Sequence, residues 1–332
     1  MISQERSCSY IVSLLLVVII WCGWLFYTYP DSWTVIHSYW QVTVTMIFGS
    51  VIAGATSEGG GAIAFPVFTK ILHIPPADAK VFSLAIQSVG MVAASIAIIM
   101  MRAKVLWRVI VWVSLGGMAG MIIGSVFLSP LLAPAMIRML FTIMAISLAF
   151  TLIRLSTGFR LNYLKMPEIT IREIAILLTV GIVGGVISGL VGSGIDMLCF
   201  SVLVLLFRIS ESIATPTSVI LMAINSVFGV LLHIYFFDGI NTQVQAYWLA
   251  AVPVVVVGAP LGAYLCSRMH YLHIRYLLIS LICIELVTSL WLLYFDRKLI
   301  IFSISTLILF LAIMISMSRA RCYMRISEQE CV

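Results

Sequence analysis

The chain predicts an all-α polytopic membrane protein made of two inverted repeats, on three observations. The first is composition. The 332 residues are 62% hydrophobic and 10% charged, with a mean hydropathy of +1.16. A soluble globular domain carries about 25% charged residues, so this apolar excess must face lipid. The second is a succession of membrane-length apolar runs joined by short loops. The third is a pair of glycine-rich breaks, Thr56-Ser57-Glu58-Gly59-Gly60-Gly61 and Gly189-Leu190-Val191-Gly192-Ser193-Gly194-Ile195-Asp196. Each interrupts an apolar stretch too long for one span, and each carries one acid. Corresponding breaks in two halves of a membrane protein place helix ends near the bilayer midplane.

In chain order, the apolar runs fall near 10–29, 40–57, 61–73, 79–101, 107–128, 135–155, 172–192, 195–207, 213–236, 245–267, 274–295 and 299–317. A full span needs about 20 residues at 1.5 Å rise. The runs 61–73 and 195–207 fall short of that, and each directly follows a break. Arg6 and the apolar run up to Phe26 have the outline of a secretory signal. No small-x-small cleavage site follows, so 10–29 is expected to be a retained span.

Basic residues set the orientation. Arg102, Lys104 and Arg108 share one loop; Arg154, Arg160, Lys165 and Arg172 mark another; Arg268 and Arg275 flank a third; Arg319, Arg321 and Arg325 lie in the tail. The loops 30–39, 129–134 and 237–244 hold no Lys or Arg. The positive-inside rule puts the basic loops and both termini in the cytoplasm. Residues 40–73 must then enter and leave on the outside, and 172–207 on the cytoplasmic side. Each break becomes the tip of a hairpin, and the two hairpins point in opposite directions. Asp296-Arg297-Lys298 is the one loop that departs from this scheme.

The resulting organisation is a single transmembrane domain over 1–332. Repeat 1 is 40–155, a polar cytoplasmic linker is 156–171, and repeat 2 is 172–295. Spans 10–29 and 299–317 are additions at either end. A shift of 135 residues sets Gly54 on Gly189, Gly59 on Gly194, Ala79 on Ala214 and Ser83 on Ser218. Three spans after each hairpin invert the second copy, an arrangement common in secondary transporters.

Several function classes find no support in the residues. The net charge of +6 is spread over short loops beside spans, which sets orientation rather than marking a nucleic-acid footprint. The seven cysteines form no C-x-x-C pair, and most sit in apolar runs as small core residues. His37, His73, His233, His270 and His273 are scattered. No P-loop, catalytic constellation, metal-ligand set or cofactor motif stands out, so the reading is not an enzyme.

The two glycine-rich segments carry a family resemblance. Gly54 through Gly59-Gly60-Gly61-Ala62-Ile63-Ala64-Phe65-Pro66, with Ser188-Gly189-Leu190-Val191-Gly192-Ser193-Gly194 in the second half, resembles the sulfite exporter TauE/SafE family over roughly 40–295. In that family a glycine-rich segment opens each repeat. The second copy departs from the pattern: Ile195-Asp196 follows Gly194, and Ser201 stands where the first copy has Pro66. The resemblance implies a plasma-membrane exporter of small anions of the sulfite, sulfonate or sulfoacetate type.

The residues suit such a ligand independently. Gly59, Gly60 and Gly61 precede a resuming helix, where unpaired N–H groups and the positive dipole end attract anions. Gly192, Ser193 and Gly194 repeat the arrangement, with the Ser193 hydroxyl as a further donor. The same glycines also serve tight turns and close helix packing. Glu58 and Asp196 are intramembrane acids, read either as proton carriers or as helix-terminal caps. Gln87 and Asn225 lie mid-span in the first full helix of each repeat and are candidate substrate contacts or interhelical links. Glu285 is a further, isolated acid, and Lys80, at the end of an external loop, reads either as a group that attracts anions or as an interfacial anchor. The expected function is a secondary transporter in the plasma or inner membrane. Its partners are a small anion and the lipid bilayer, without nucleic acid; proton coupling and a homo-oligomer are left open. An anion channel or a membrane scaffold remains the alternative.

Overall fold

The computed structural model describes residues 15, 17–56, 61–156, 163, 170–237, 239–268 and 271–319. Every extended element among them is helical; one isolated parallel bridge joins Tyr163 and Ile209. The helices are α1 (Val17–Thr28), α2 (Ser32–Ser38), α3 (Trp40–Ala55), α4 (Gly61–Pro66), α5 (Pro76–Met100), α6 (Trp107–Ile122) and α7 (Pro134–Ser156). They continue as α8 (Ile171–Val191), α9 (Ile195–Leu205), α10 (Glu211–Phe236), α11 (Thr242–Cys266), α12 (Tyr271–Leu292) and α13 (Arg297–Arg319). π-helical stretches extend α4 over Val67–Ile71 and α6 over Ile123–Leu128.

Seven of these are long and apolar enough to cross a membrane, or up to eight if α2 and α3, bent by 84°, form one span. Large apolar side chains such as Phe48, Phe127, Trp291 and Ile308 are exposed, as a lipid-facing surface requires. This is a multi-pass membrane protein.

Local sequence explains the helix ends. Pro76 and Pro134 open α5 and α7 at a position where a missing N–H costs nothing. The Thr170 backbone N–H donates to Glu173 Oε2 at 2.9 Å, one arm of a capping box that starts α8. Asn241 Oδ1 accepts the Gln243 N–H at 3.2 Å and starts α11. Within α11, Pro253 leaves the carbonyl of Leu249 without its helical donor. The Trp24 indole of α1 donates to that carbonyl at 2.7 Å.

The chain forms two compact units, Met1–Ala103 with Val219–Met269, and Lys104–Ser218 with His270–Val332. In the first unit α11 packs on α3 and α5, and α4 on α3 and α5. In the second, α6 packs along α8, α7 meets α12 and α13, and α9 is held by α7, α8 and α13. Every residue of α9 is buried, as expected of a short helix apolar on all sides.

Both units rely on glycine for close helix approach. In the second unit, Gly116, Gly120 and Gly124 face backbone carbonyls of Leu178, Ile182 and Val186, while Gly181 and Gly185 face those of Val113 and Gly117. A side chain at any of these five would collide with main chain rather than with a movable group. Small residues spaced by four allow this packing between membrane helices.

Candidate functional site

The second break is the best-defined candidate. α8 ends on Gly192, whose φ of 94° only glycine adopts freely, and whose N–H donates to Ser188 O at 2.8 Å. Gly194, at φ 141°, stands at the N-cap of α9. A Cβ on Gly194 would lie 2.7 Å from both Ile187 Cγ2 and Met144 Sδ. The chain thus passes from α8 to α9 through two positive-φ glycines, and at Gly194 there is no space for a side chain.

The start of α9 is wholly inside the unit. Ser193, Asp196 and Ser188 are each 0% exposed. The Ile195 N–H donates to Ser188 Oγ at 3.0 Å, and the Gly194 N–H to Asp196 Oδ1 at 3.1 Å. Neither Ser193 Oγ nor Asp196 Oδ2 has a hydrogen-bond partner among the described residues. Asp196 is therefore an internal carboxyl group at a helix N-terminus, where the macrodipole and N–H groups favour negative charge. The same donors that suit a bound oxyanion already serve its carboxyl group.

At the first break α3 stops at Ala55, Thr56 is extended, and its Oγ1 turns back to Ile52 O at 2.8 Å. A helix resumes at Gly61. Glu58, Gly59 and Gly60 lie outside the described residues. Gly61 is the first residue of α4, as expected for a residue at the resuming helix.

Gln87 is buried on α5, and its Nε2 donates to Ser83 O at 2.9 Å and Ser83 Oγ at 2.8 Å. It lines a cavity of about 10 Å³ with Ser50 of α3, Gly90 of α5 and Val255 of α11, room for about one water molecule. Asn225 is buried on α10, with Nδ2 donating to Leu221 O at 2.9 Å. Both amides thus direct N–H groups onto the preceding turn of their own helix.

The structure corrects the reading of Lys80. An interfacial anchor extends its ammonium to water, but Lys80 is only 4% exposed. Its position near a helix end suggested snorkelling; the packing of the first unit encloses it instead. Glu285, 7% exposed, accepts from Thr142 Oγ1 at 2.9 Å and Ser289 Oγ at 3.3 Å, so it links α12 to α7. Ser188 was not singled out from the sequence, although it supplies the oxygen that holds the first N–H of α9. The glycine rows on α6 and α8 are a second feature that the reading of the sequence missed; their signal is a spacing of four. Cys22, Cys199, Cys266 and Cys283 are free thiols.

A family model described as Sulfite exporter TauE/SafE matches residues 42–288. That range runs from α3 into α12 and includes both breaks. The chain belongs to the TauE/SafE sulfite exporter family. It is accordingly a member of a membrane transporter family, with a small-molecule substrate and a lipid setting. The match leaves out α1, α2 and α13. No curated protein and no solved structure matches the chain.

Proposed function

We propose that this family member is a secondary transporter that exports small sulfur-containing or organic oxyanions, of the sulfite, sulfonate or sulfoacetate type, across the plasma or inner membrane. The observation that carries the reading is the buried start of α9. There, two polar atoms without described partners, Ser193 Oγ and Asp196 Oδ2, stand at a helix N-terminus bounded by two glycines. In this reading the two breaks are tips of oppositely directed hairpins in two inverted repeats, 40–155 and 172–295, with both termini cytoplasmic. Gly59, Gly60 and Gly61 form the first tip, and Gly192, Ser193 and Gly194 the second. Gln87 and Asn225 contact the substrate after turning their amides away from their own helices.

Asp196 supplies the coupling chemistry. An ionised carboxylate among the α9 donors competes with a substrate anion for them; a protonated one does not. Proton uptake at Asp196, or at Glu58 in the first tip, would then accompany anion binding. The neutral mimic Asp196→Asn should bind anion but lose flux driven by a pH gradient, whereas an unaltered pH profile of flux in proteoliposomes would remove proton coupling through this residue.

The reading is tested by thermal stabilisation of the purified protein with sulfite, sulfonates and carboxylates, because a site ligand stabilises the folded state by mass action. Selective stabilisation by sulfur oxyanions is expected, and identical melting with every anion would count against it. Gly194→Val should insert into the membrane and fail to transport, since a branched side chain there meets both Ile187 and Met144. Wild-type flux in that variant would move the substrate site away from the tip.

A further inference from the structure

Glu285 is a buried acid that the tip of α9 does not use. It lies within the apolar stretch Leu278–Leu292 of α12 and is 7% exposed. Thr142 of α7 and Ser289, one turn further along α12, are each 0% exposed. All three belong to the second unit, in which α12 packs on α7. Their oxygens form a closed triangle. Thr142 Oγ1 is 2.9 Å from Glu285 Oε1 and 2.5 Å from Ser289 Oγ, and Ser289 Oγ is 3.3 Å from Glu285 Oε1.

The acid is not needed to join the helices. Thr142 and Ser289 already bridge α7 and α12 through their hydroxyls. An acid in an apolar membrane helix is costly and marks an ion or proton pathway by default. Counting protons decides between the two. The triangle has three oxygen–oxygen contacts at hydrogen-bond distance, whereas its two hydroxyls carry one proton each. Thr142 Oγ1 also lies 3.3 Å from Arg138 O, a further acceptor. An ionised Glu285 only accepts, so at least one side of the triangle then lacks a proton. A proton on Oε1 supplies it. Glu285 donates to one hydroxyl, that hydroxyl to the other, and the second back to the carboxyl group. Each hydroxyl both donates and accepts, so the ring can reverse by rotation of its O–H bonds alone.

Few charges surround the ring. On α7, Arg138 lies one turn before Thr142 on the same face, a counter-charge for Glu285 when the proton leaves. Arg154 is more than three turns further along α7 and donates to Ser318 Oγ at 3.4 Å. On α12, His273 and Arg275 precede Glu285 by ten residues or more. Arg297 and Lys298, at the start of α13, are exposed. Asp196 belongs to α9, whose N-cap Gly194 lies against Met144. Met144 and Thr142 are two residues apart, so they occupy different faces of α7.

We infer that Glu285, Thr142 and Ser289 form a proton-binding site at the α7–α12 contact, in which a proton on Glu285 closes the hydrogen-bond ring. The inference rests on the transport reading above and adds to it a proton site away from the α9 tip. α7 connects the two sites: one face carries Thr142 in the ring, and another carries Met144 against Gly194. Protonation ties α7 to α12 through the whole ring, and loss of the proton opens one side of it, on the same helix that bounds the anion site.

The test is an infrared pH titration of the full-length purified protein, following the carbonyl stretch of protonated carboxyl groups. Wild type should show a carboxyl band that disappears as pH rises and that is missing from Glu285→Gln at every pH. In Thr142→Val, which keeps the shape of the side chain without its hydroxyl, the band should persist and move to higher frequency, because the carboxyl group has lost a ring partner. Ser289→Ala should move it the same way and serves where Thr142→Val does not fold. In proteoliposomes, Glu285→Gln should lose the pH-gradient dependence of methanesulfonate flux. A Glu285→Gln spectrum identical to wild type, or a band unmoved in both hydroxyl variants, overturns the proton site and leaves the transport reading standing. An unchanged pH dependence of flux in Glu285→Gln overturns the site's part in transport. A wild type that carries no anion while the Glu285 band titrates overturns the transport reading and leaves the proton site standing.

Discussion

The helices that lead into the two breaks, α3 and α8, are clamped in different ways. α8 is joined to α6 over three turns by glycines on both helices, each set against partner backbone. α3 is joined to α11 tightly only near its end, where Gly54 faces the Ala259 carbonyl and Gly262 that of Val51. Further from the break, side chains make the contact: Gly258 faces Ser50 Oγ, and Thr43 Oγ1 donates to Ala250 O at 3.0 Å. Beside this looser half lies the cavity lined by Ser50 and Gln87. The shared feature is the close approach at Gly54 and Gly189, the pair matched by the internal shift of 135 residues. At Gly189 a Cβ would lie 2.7 Å from Met121 O, and Ser125 Oγ already donates to Gly189 O at 3.0 Å. Each arm is therefore fixed where it runs into its break, and the α3 arm has a small cavity alongside.

Substitutions can break this contrast. Gly185→Leu should have the largest effect, because its Cβ meets only backbone of Gly117 and neither helix can yield locally. A loss of about 3 kcal/mol or more is expected from overpacking at such a site, read as little monodisperse protein after detergent extraction. Gly54→Ala comes next, with a backbone clash at a single point, at about 2 kcal/mol. Gly258→Ala should cost about 1 kcal/mol, since the Ser50 hydroxyl can rotate away and only the Ser50 Cβ, at 3.0 Å, must then give. If thermal melting ranks Gly258→Ala below Gly54→Ala in stability, the division of α11 into a tight and a loose half is wrong. Thr43→Val should have the smallest effect, about 0.6 kcal/mol for one interhelical hydrogen bond between membrane helices. It should leave the stability of the α6–α8 pair unchanged in hydrogen exchange.

Much of this was legible in the residues. The runs 172–192 and 195–207 correspond to α8 and α9 within two residues at each end, because Gly192 and Gly194 announce a backbone no other residue adopts without strain. The run 135–155 starts one residue inside α7, whereas 79–101 misses the first turn of α5, which opens at Pro76. What the sequence did not reveal was partnership. α3 packs on α11, and α6 on α8, so the close contacts join segments far apart in the chain. Glycine spacing marks a surface for close approach but does not say which helix uses it. The burial of Lys80 was hidden for the same reason: a long basic side chain at a helix end reads as snorkelling until its neighbours are known. Ser188 is likewise an ordinary helical serine in sequence, and acquires its role only when the chain turns back at Gly192 to bring Ile195 N beside it.

The claim that α9 begins a carrier site is tested most directly by the initial rate of sulfite flux in proteoliposomes as a function of sulfite concentration, for wild type and Ser193→Ala. The account predicts a saturating curve for wild type and a higher half-saturating concentration for Ser193→Ala, because the variant lacks a buried donor at the site. A rate that rises linearly without limit, identical in the two proteins, would indicate a channel and contradict it.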